Sequence, residues 1–131
     1  MTAYSPAKLK RLSAQPIPSD LVDTLLLLEP TKQADWLTQI GPALTPATLQ
    51  AFAQLLKEQA DKNLRINLKT SAQFAKHIEL LAELCADERL TALSLRAQGN
   101  IQALGYGEHP KGIAWYNQAA AIYQQVRMVY E

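Results

Sequence analysis

The stretch "SLRAQGNIQALG", residues 94–105, has the apolar spacing of an α-helix with a glycine, Gly99, inside it. With Leu93 just before it, apolar residues recur every three or four positions on either side of that glycine: Leu93, Ala97, Ile101 and Leu104. A glycine inside a helix costs about 1 kcal/mol relative to alanine. Helices that cross closely need small residues at the contact, because a bulky side chain would separate them. The stretch therefore predicts a helix against which a second helix packs closely at Gly99.

This helix is apolar on two sides, since Ala92, Leu95, Gly99 and Ala103 form a second stripe beside the first. A surface helix needs only one apolar stripe. The pattern predicts an inner helix with neighbours on both sides.

The rest of the chain also has helical periodicity, and strict apolar/polar alternation of the kind typical of strands is almost absent. Glycines and prolines mostly separate the periodic segments. We therefore predict an all-α fold of about seven helices, the first three short, at approximately 5–12, 20–28, 31–40, 46–64, 71–86, 88–104 and 111–131.

Cap residues predict where several of these helices begin. The predicted caps are Ser19, Thr31, Thr45, and either Thr70 or Ser71. Thr45-Pro46 is the strongest of these signals, because proline is favoured at the first helical position. Pro30 is predicted to stop the second helix, and Gly41-Pro42 the third.

The chain also repeats itself with a shift of 37 residues. The matching pairs are Leu56 and Leu93, Ala60 and Ala97, Asn63 and Asn100, Leu64 and Ile101, Ala75 and Gly112, Ile78 and Trp115, Ala82 and Ala119, and Cys85 and Ile122. A period of this length with two helices per unit is typical of helical-hairpin repeats. The chain therefore divides into short N-terminal helices (1–45), a degenerate repeat (46–87) and a second repeat (88–131).

The segment "LSLRAQGNIQALGYGEHPKGIAWYNQAAAIY", residues 93–123, resembles the tetratricopeptide repeat (TPR) family. Gly99-Asn100, Gly112, Tyr116 and Ala119 occur in the order that the family's two helices show. The segment departs from the family in other places: Gln98 and Gln102 stand where leucine and tyrosine are preferred, the closing proline is missing after Ile122, and Lys62 replaces the glycine in the earlier copy. The resemblance covers one unit well, a second in degenerate form, and none of residues 1–45.

The resemblance implies one TPR-like domain over 1–131, a right-handed superhelical stack of antiparallel helix hairpins. It implies a protein–protein interaction scaffold, not an enzyme, that binds a peptide or a partner helix in a groove. In TPR domains that hold a peptide's C-terminal carboxylate, a basic residue and an asparagine occupy the places of Arg96 and Asn100. Gln59 and Asn63 are the corresponding residues of the earlier repeat. The alternative is a solvated arginine beside a structural asparagine.

The chemically reactive residues predict neither catalysis nor a metal or cofactor site. One cysteine and two histidines lie in different segments, so a zinc site is not expected. We expect His77 to be partly exposed and without a role, and Cys85 to be a small buried apolar group. The acidic residues near the start of the sixth helix, Asp87 among them, are expected to be solvated and not to form an acid–base pair.

Charge and apolar runs limit which partners and which cellular compartment we expect. The net charge of +1, with scattered basic residues, predicts no nucleic-acid or membrane partner. The longest apolar run, 25–28, is too short to span a bilayer, and the first residues do not form a signal peptide. We expect a cytoplasmic protein, and the resemblance to TPR units implies a bacterial one.

The last helix keeps an apolar stripe to its end, with Val126, Val129 and Tyr130 on it and no stop signal after it. Two explanations are open. The chain is the N-terminal part of a larger multidomain protein with further repeats, which we favour, or the stripe pairs with a second copy, which makes the chain a homodimerisation module.

Overall fold

The computed structural model describes residues 15–130, with side chains up to Arg127. Within this range the chain forms six α-helices and no β-strand: α1 (Pro18–Leu27), α2 (Pro30–Ile40), α3 (Pro46–Lys62), α4 (Leu68–Cys85), α5 (Glu88–Asn100) and α6 (His109–Tyr130). A short 3₁₀ turn, Gly41–Ala43, follows α2, and a π-helical turn, Ile101–Gly105, follows α5. The predicted all-α class is confirmed. The first predicted helix, at 5–12, lies outside the described residues.

Helix α5 is the inner helix of the array, because it packs against α3, α4 and α6. This confirms the prediction drawn from its two apolar sides. Helix α3 also packs against α4 and α1, and α2 packs along α4. Helices α5 and α6 run antiparallel: Gly99 meets Gly112 near one end, and Val126 shares a hollow with Glu88 and Arg89 near the other.

The core lies among α1 to α5 and is built from fully buried apolar side chains. The largest are Phe52, Leu25, Leu37, Leu56, Ile78, Leu81 and Leu90. The rings of Trp36 and Phe52 meet edge to face, with 6.3 Å between their centroids. Three of the residue pairs that lie 37 positions apart are buried in both repeats: Leu56 and Leu93, Ala60 and Ala97, and Ala82 and Ala119.

Two predicted helix starts are wrong because proline begins each helix. The residue before α1 is Ile17 and the residue before α2 is Glu29, each extended, with Pro18 and Pro30 in the first helical positions. Proline has no N–H to leave unsatisfied there and has a φ suited to a helix. Ser19 and Thr31 therefore lie inside their helices, and Pro30 starts α2 rather than only stopping α1. At α3 the prediction is confirmed, because the Thr45 hydroxyl accepts from the Thr48 N–H.

Helix α4 begins earlier than predicted, because Asn67 and not Thr70 or Ser71 is its cap. The Asn67 side chain accepts from the Thr70 N–H at 3.2 Å. The Ser71 side chain is fully buried and donates to the Ala60 carbonyl oxygen at 2.6 Å. Ser71 therefore ties α4 to α3, a role that depends on a residue 11 positions away.

The sixth predicted helix ends its α-helical part at Asn100, four residues before the predicted end at Leu104. A π-helical turn takes over, in which the Tyr106 N–H donates to the Ile101 carbonyl oxygen at 3.0 Å. The turn carries Leu104 out of the apolar stripe, and 63% of this side chain is exposed. It also brings Gly105 so close to Leu68 that a Cβ at Gly105 would lie 2.5 Å from Leu68 Cδ1.

Candidate functional site

Four polar side chains from three helices form one hydrogen-bonded network across α3, α5 and α6. The Lys57 ammonium donates to Asp61 Oδ2 at 2.5 Å, one turn along α3. The Asn100 amide on α5 donates to Asp61 Oδ1 at 2.8 Å. The Tyr116 hydroxyl on α6 donates to Asn100 Oδ1 at 2.5 Å. Asn100 therefore joins α3 to α6 through both ends of its side-chain amide.

The network is partly withdrawn from solvent. Lys57 is only 4% exposed, whereas 39% of the Asp61 side chain is exposed. Burial raises the pKa of Tyr116, the Asp61 carboxylate raises it further, and the Arg96 guanidinium acts in the opposite direction. Tyr116 therefore stays protonated at neutral pH and acts as a hydrogen-bond donor.

Two glycines set the position of α6 on α5. A Cβ at Gly99 would lie 2.6 Å from Tyr116 Cε1, and a Cβ at Gly112 would lie 2.6 Å from the Ala103 Cβ. Real Cβ atoms do not approach other atoms so closely, so both positions require glycine at the present helix separation. The close helix contact predicted at Gly99 is confirmed.

An open groove of about 460 Å³ lies between the outer sides of α5 and α6. Its lining residues are Arg96, Tyr116, Ala119, Ala120 and Tyr123. The two alanines make the groove shallow, the two tyrosine rings flank it, and the exposed Arg96 stands on the α5 side. The groove therefore offers a narrow apolar contact with one cation beside it.

The four residues predicted as a peptide grip are not all in one place. Arg96 is exposed and lines the groove, whereas Asn100, one turn along α5, is half-buried and held by Asp61 and Tyr116. On α3, the Asn63 side chain donates to the Gln59 carbonyl oxygen at 2.8 Å, so it closes the end of its own helix. Gln59 is half-buried one turn earlier.

Sequence reasoning missed Lys57 and Asp61. One signal was available, because a lysine and an aspartate four residues apart on a helix form a pair. Lys57 also lies four residues after the buried Ala53, which places it on the packed side of α3. Nothing local to Asp61 indicates Asn100, which is 39 residues away in the chain.

The apolar stripe of the last helix is partly used within the chain. Val126 is only 8% exposed, and Ala119 is buried against α5. Trp115 and Ile122 are half-buried. The prediction that Val126 offers an exposed contact to a second copy is therefore wrong, because this side chain is buried within the chain, at a hollow that it shares with Glu88 and Arg89 of α5. The structure does not describe the side chains of Val129 and Tyr130, so their predicted role stays a prediction.

His77 is buried and not partly exposed as predicted. It is 6% exposed, and its Nε2 lies 3.0 Å from Gln33 Oε1 on α2. The Gln33 amide in turn donates to the carbonyl oxygens of Leu25 and Leu28. Burial lowers the pKa of His77, so the ring is neutral and ties α4 to the α1–α2 connection.

Cys85 is half-buried, and burial, together with the nearby Asp87, raises the pKa of its thiol. A raised pKa leaves the thiol protonated and weakly nucleophilic. Asp87 is the cap of α5, and its carboxylate accepts from the Arg89 N–H at 2.9 Å. Among the residues that the structure describes, no three histidine, cysteine or acidic side chains come together as a metal site.

Comparisons with known proteins found no matching family model, no matching curated protein and no matching solved structure. In the described part of the chain, no helix combines the length and apolar character needed to cross a bilayer.

Proposed function

We propose that this chain is a protein-interaction scaffold of TPR type that binds a partner helix in the groove between α5 and α6. The strongest support comes from a comparison of the two repeats within the chain. Helix α5 packs on α4 beside Glu79, Ala82 and Glu83, with which it lines a small hollow; Ala82 is buried there, and the two glutamates stay exposed at its edge. Adding the repeat length of 37 to these positions gives Tyr116, Ala119 and Ala120 of α6, which line the open groove. The groove thus corresponds to the part of α4 on which α5 packs one unit earlier.

The side chains of the groove suit an amphipathic helix with a narrow apolar side. The exposed Ala120, beside the buried Ala119, allows close approach, as Gly99 and Gly112 do between α5 and α6. Tyr116 and Tyr123 supply aromatic contact area at a small cost in conformational entropy. Arg96 is placed to pair with a carboxylate of the partner, and a bidentate arginine–carboxylate pair is among the stronger charged hydrogen bonds.

The network behind the groove gives this surface a fixed shape. Tyr116 is held through Asn100 to Asp61, so its ring is oriented before any partner binds. A preformed surface loses less conformational entropy on binding. In this proposal Arg96 contacts the partner, whereas Asn100 positions Tyr116.

Site-specific photocrosslinking tests the proposal in cells that produce the chain. A benzophenone amino acid replaces Ala120 in one variant and Ala121 in the other. Both alanines are exposed, but only Ala120 lines the groove. We expect a crosslinked partner with Ala120 and none with Ala121, and equal crosslinking would contradict the proposal.

The recovered partner is then tested with purified proteins. Arg96→Ala and Ala120→Glu are each expected to weaken binding about tenfold or more, because they remove the cation or place a charge on the apolar floor. Lys76→Ala, at an exposed position on α4, is the control and leaves binding unchanged. Unchanged binding in both groove variants would end the proposal.

A further inference from the structure

Large exposed apolar side chains gather at one end of the helical array. We call this the turn end and define it as residues 24–33, 59–71 and 97–113, which contain the three connections α1–α2, α3–α4 and α5–α6. Of the eight large apolar residues that are exposed among the described ones, six lie there. They are Leu26, Leu27, Ile66, Leu104, Tyr106 and Ile113. The other two are Ile17 and Leu84, in the connection before α1 and at the end of α4.

Contacts between the connections place them at the same end. Leu26 at the end of α1 and Thr70 at the start of α4 line one hollow. Leu68 in the first turn of α4 touches Gly105 in the connection between α5 and α6. The apolar residues therefore belong to one region of the surface, although they come from distant parts of the sequence.

The turn end is also basic. Its exposed cations are Lys32, Lys62, Arg65, Lys69 and Lys111. Its acidic residues are Glu29, Asp61 and Glu108. Asp61 is paired with the buried Lys57, and Glu108 is paired with Lys111 at 2.9 Å, which leaves Lys32, Lys62, Arg65 and Lys69 against Glu29. The region around the connection between α4 and α5 is instead acidic, with Glu83, Asp87 and Glu88 beside Arg89. Although the net charge is only +1, basic residues therefore concentrate at the turn end and acidic residues around the connection between α4 and α5.

We propose that the turn end docks on the surface of an anionic lipid bilayer. Leu27 is 88% exposed, Ile66 73% and Leu104 63%, so most of the surface of each of these side chains is in contact with solvent. Exposed apolar side chains surrounded by lysine and arginine suit the interface of an anionic membrane, where the apolar groups enter the headgroup region and the cations meet phosphate. Tyr106, 60% exposed among them, is a residue type enriched at that interface.

The turn end lies apart from the groove between α5 and α6. Ala119 and Ala120 are ten and eleven residues into α6, about 15 Å along the helix from its first residue. A chain docked through its turn end therefore leaves the groove accessible. The expectation of no membrane partner rested on the net charge and on basic residues that are scattered along the sequence, whereas the fold brings several of them together at the turn end.

Vesicle cosedimentation of the full chain tests the inference, with phosphatidylcholine alone or with one third phosphatidylglycerol. We expect binding to the anionic vesicles, weakened by added salt, and little binding to the neutral ones. Each basic residue near such a surface contributes roughly fivefold to partitioning. The charge-reversed pair Lys62→Glu/Arg65→Glu is therefore expected to bind about tenfold more weakly or worse. The pair Ile66→Ser/Leu104→Ser is expected to lose most of the binding.

Two matched variants control for general effects of charge and of apolar area. Lys76→Glu reverses a charge in the middle of α4, and Ile17→Ser removes an exposed apolar side chain away from the turn end; both should bind within about twofold of the parent. Circular dichroism establishes that each variant keeps its helices. Absence of binding to anionic vesicles at low salt overturns the inference, as does equal loss in the test and control pairs. Loss of protein-partner binding in Ile66→Ser/Leu104→Ser without any vesicle binding would also overturn it and would assign the turn end to a protein.

Discussion

Gly99 and Gly112 face each other across the contact between α5 and α6. A Cβ added to Gly99 would lie 3.2 Å from the Gly112 carbonyl oxygen, and one added to Gly112 would lie 3.0 Å from the Gly99 carbonyl oxygen. The two backbones therefore approach as closely as glycine allows, and this approach brings Tyr116 to Asn100. The helix contact and the polar network depend on each other.

Replacing Gly99 by leucine tests this contact. We expect Gly99→Leu to lower the free energy of unfolding by about 1–3 kcal/mol, because the new side chain meets the Tyr116 ring and forces the helices apart. Urea unfolding followed by circular dichroism measures the change. Ala121→Leu, which adds a similar side chain on the exposed side of α6, should change stability by less than about 0.5 kcal/mol. A Gly99→Leu protein as stable as the parent would contradict the explanation.

Removing the Tyr116 hydroxyl tests the network. Tyr116→Phe leaves Asn100 Oδ1 without its donor from α6 and should cost about 1 kcal/mol of unfolding free energy. Tyr106→Phe removes a hydroxyl from a side chain that is 60% exposed and serves as the control, with almost no expected change. Equal stability of the two variants would show that the hydroxyl contributes nothing to the fold.

Neutralising Asp61 leaves the buried Lys57 ammonium without its carboxylate. Asp61→Asn keeps an oxygen for Asn100 and should destabilise the fold by about 1–3 kcal/mol, less than in a fully buried pair because Asp61 is partly exposed. Adding Lys57→Met to that variant removes the unpaired charge and should recover most of the loss. Thermal and urea unfolding of the single and double variants give the comparison. No recovery in the double variant would mean that the cost arises elsewhere.

Acid should weaken the attachment of α4 to the α1–α2 connection through His77. Burial lowers the pKa of His77 from its ordinary 6.5. The unfolded chain therefore binds this proton more readily than the folded chain does. Stability is fully present above pH 6.5 and falls as the pH drops toward the lowered pKa, with a slope of up to about 1.4 kcal/mol per pH unit.

His77→Gln separates this effect from the titration of other groups. Glutamine keeps an N–H for Gln33 Oε1 but does not titrate, so its unfolding free energy should vary less between pH 7 and pH 5.5 than that of the parent. Urea unfolding at several pH values gives both curves. Parallel curves would exclude His77 as the source of the pH dependence.

Ala86, between α4 and α5, has the left-handed backbone conformation, with φ of 49°. This conformation is unfavourable for every residue with a Cβ, and glycine adopts it freely. Ala86→Gly should therefore raise the unfolding free energy by about 0.5–1 kcal/mol, after the greater entropy of glycine in the unfolded chain is subtracted. Ala51→Gly, at an exposed right-handed position inside α3, is the control and should lower it by about 1 kcal/mol. If the unfolding free energy changed in the same direction in both variants, the backbone explanation would be wrong.

The helices and the tight contact were predictable because their signals are local. Apolar spacing indicated α3 to α6 within a few residues, and Thr45-Pro46 located a helix start to the residue. The same proline rule places the starts at Pro18 and Pro30, but nearby serine and threonine compete with it as candidate caps. Asn67 was missed because the buried Ser71 and half-buried Thr70 look like equally good caps until their neighbours are known.

The candidate sites were less predictable, because each depends on residues far apart in the chain. Arg96 is exposed and lines the groove, and its contact with a partner stays a prediction. Asn100 was predicted beside it by helical spacing, but its side chain is held by Asp61 and Tyr116, which belong to other helices. The turn end was not predicted, because Leu27, Ile66 and Leu104 are each isolated exposed residues until the three connections are brought together.

The sequence by itself determined that the chain is helical, that it repeats every 37 residues, and that α6 approaches α5 closely at Gly99, because periodicity and side-chain size act within one or two turns of a helix. Only the tertiary structure decided that Asn100 links α3 to α6, that His77 and Lys57 are buried, and that the exposed apolar and basic residues share one end. The physical reason is that burial and hydrogen bonding are decided by the neighbours that packing supplies, and Asn100 and Asp61, 39 residues apart, become neighbours only when α5 packs on α3.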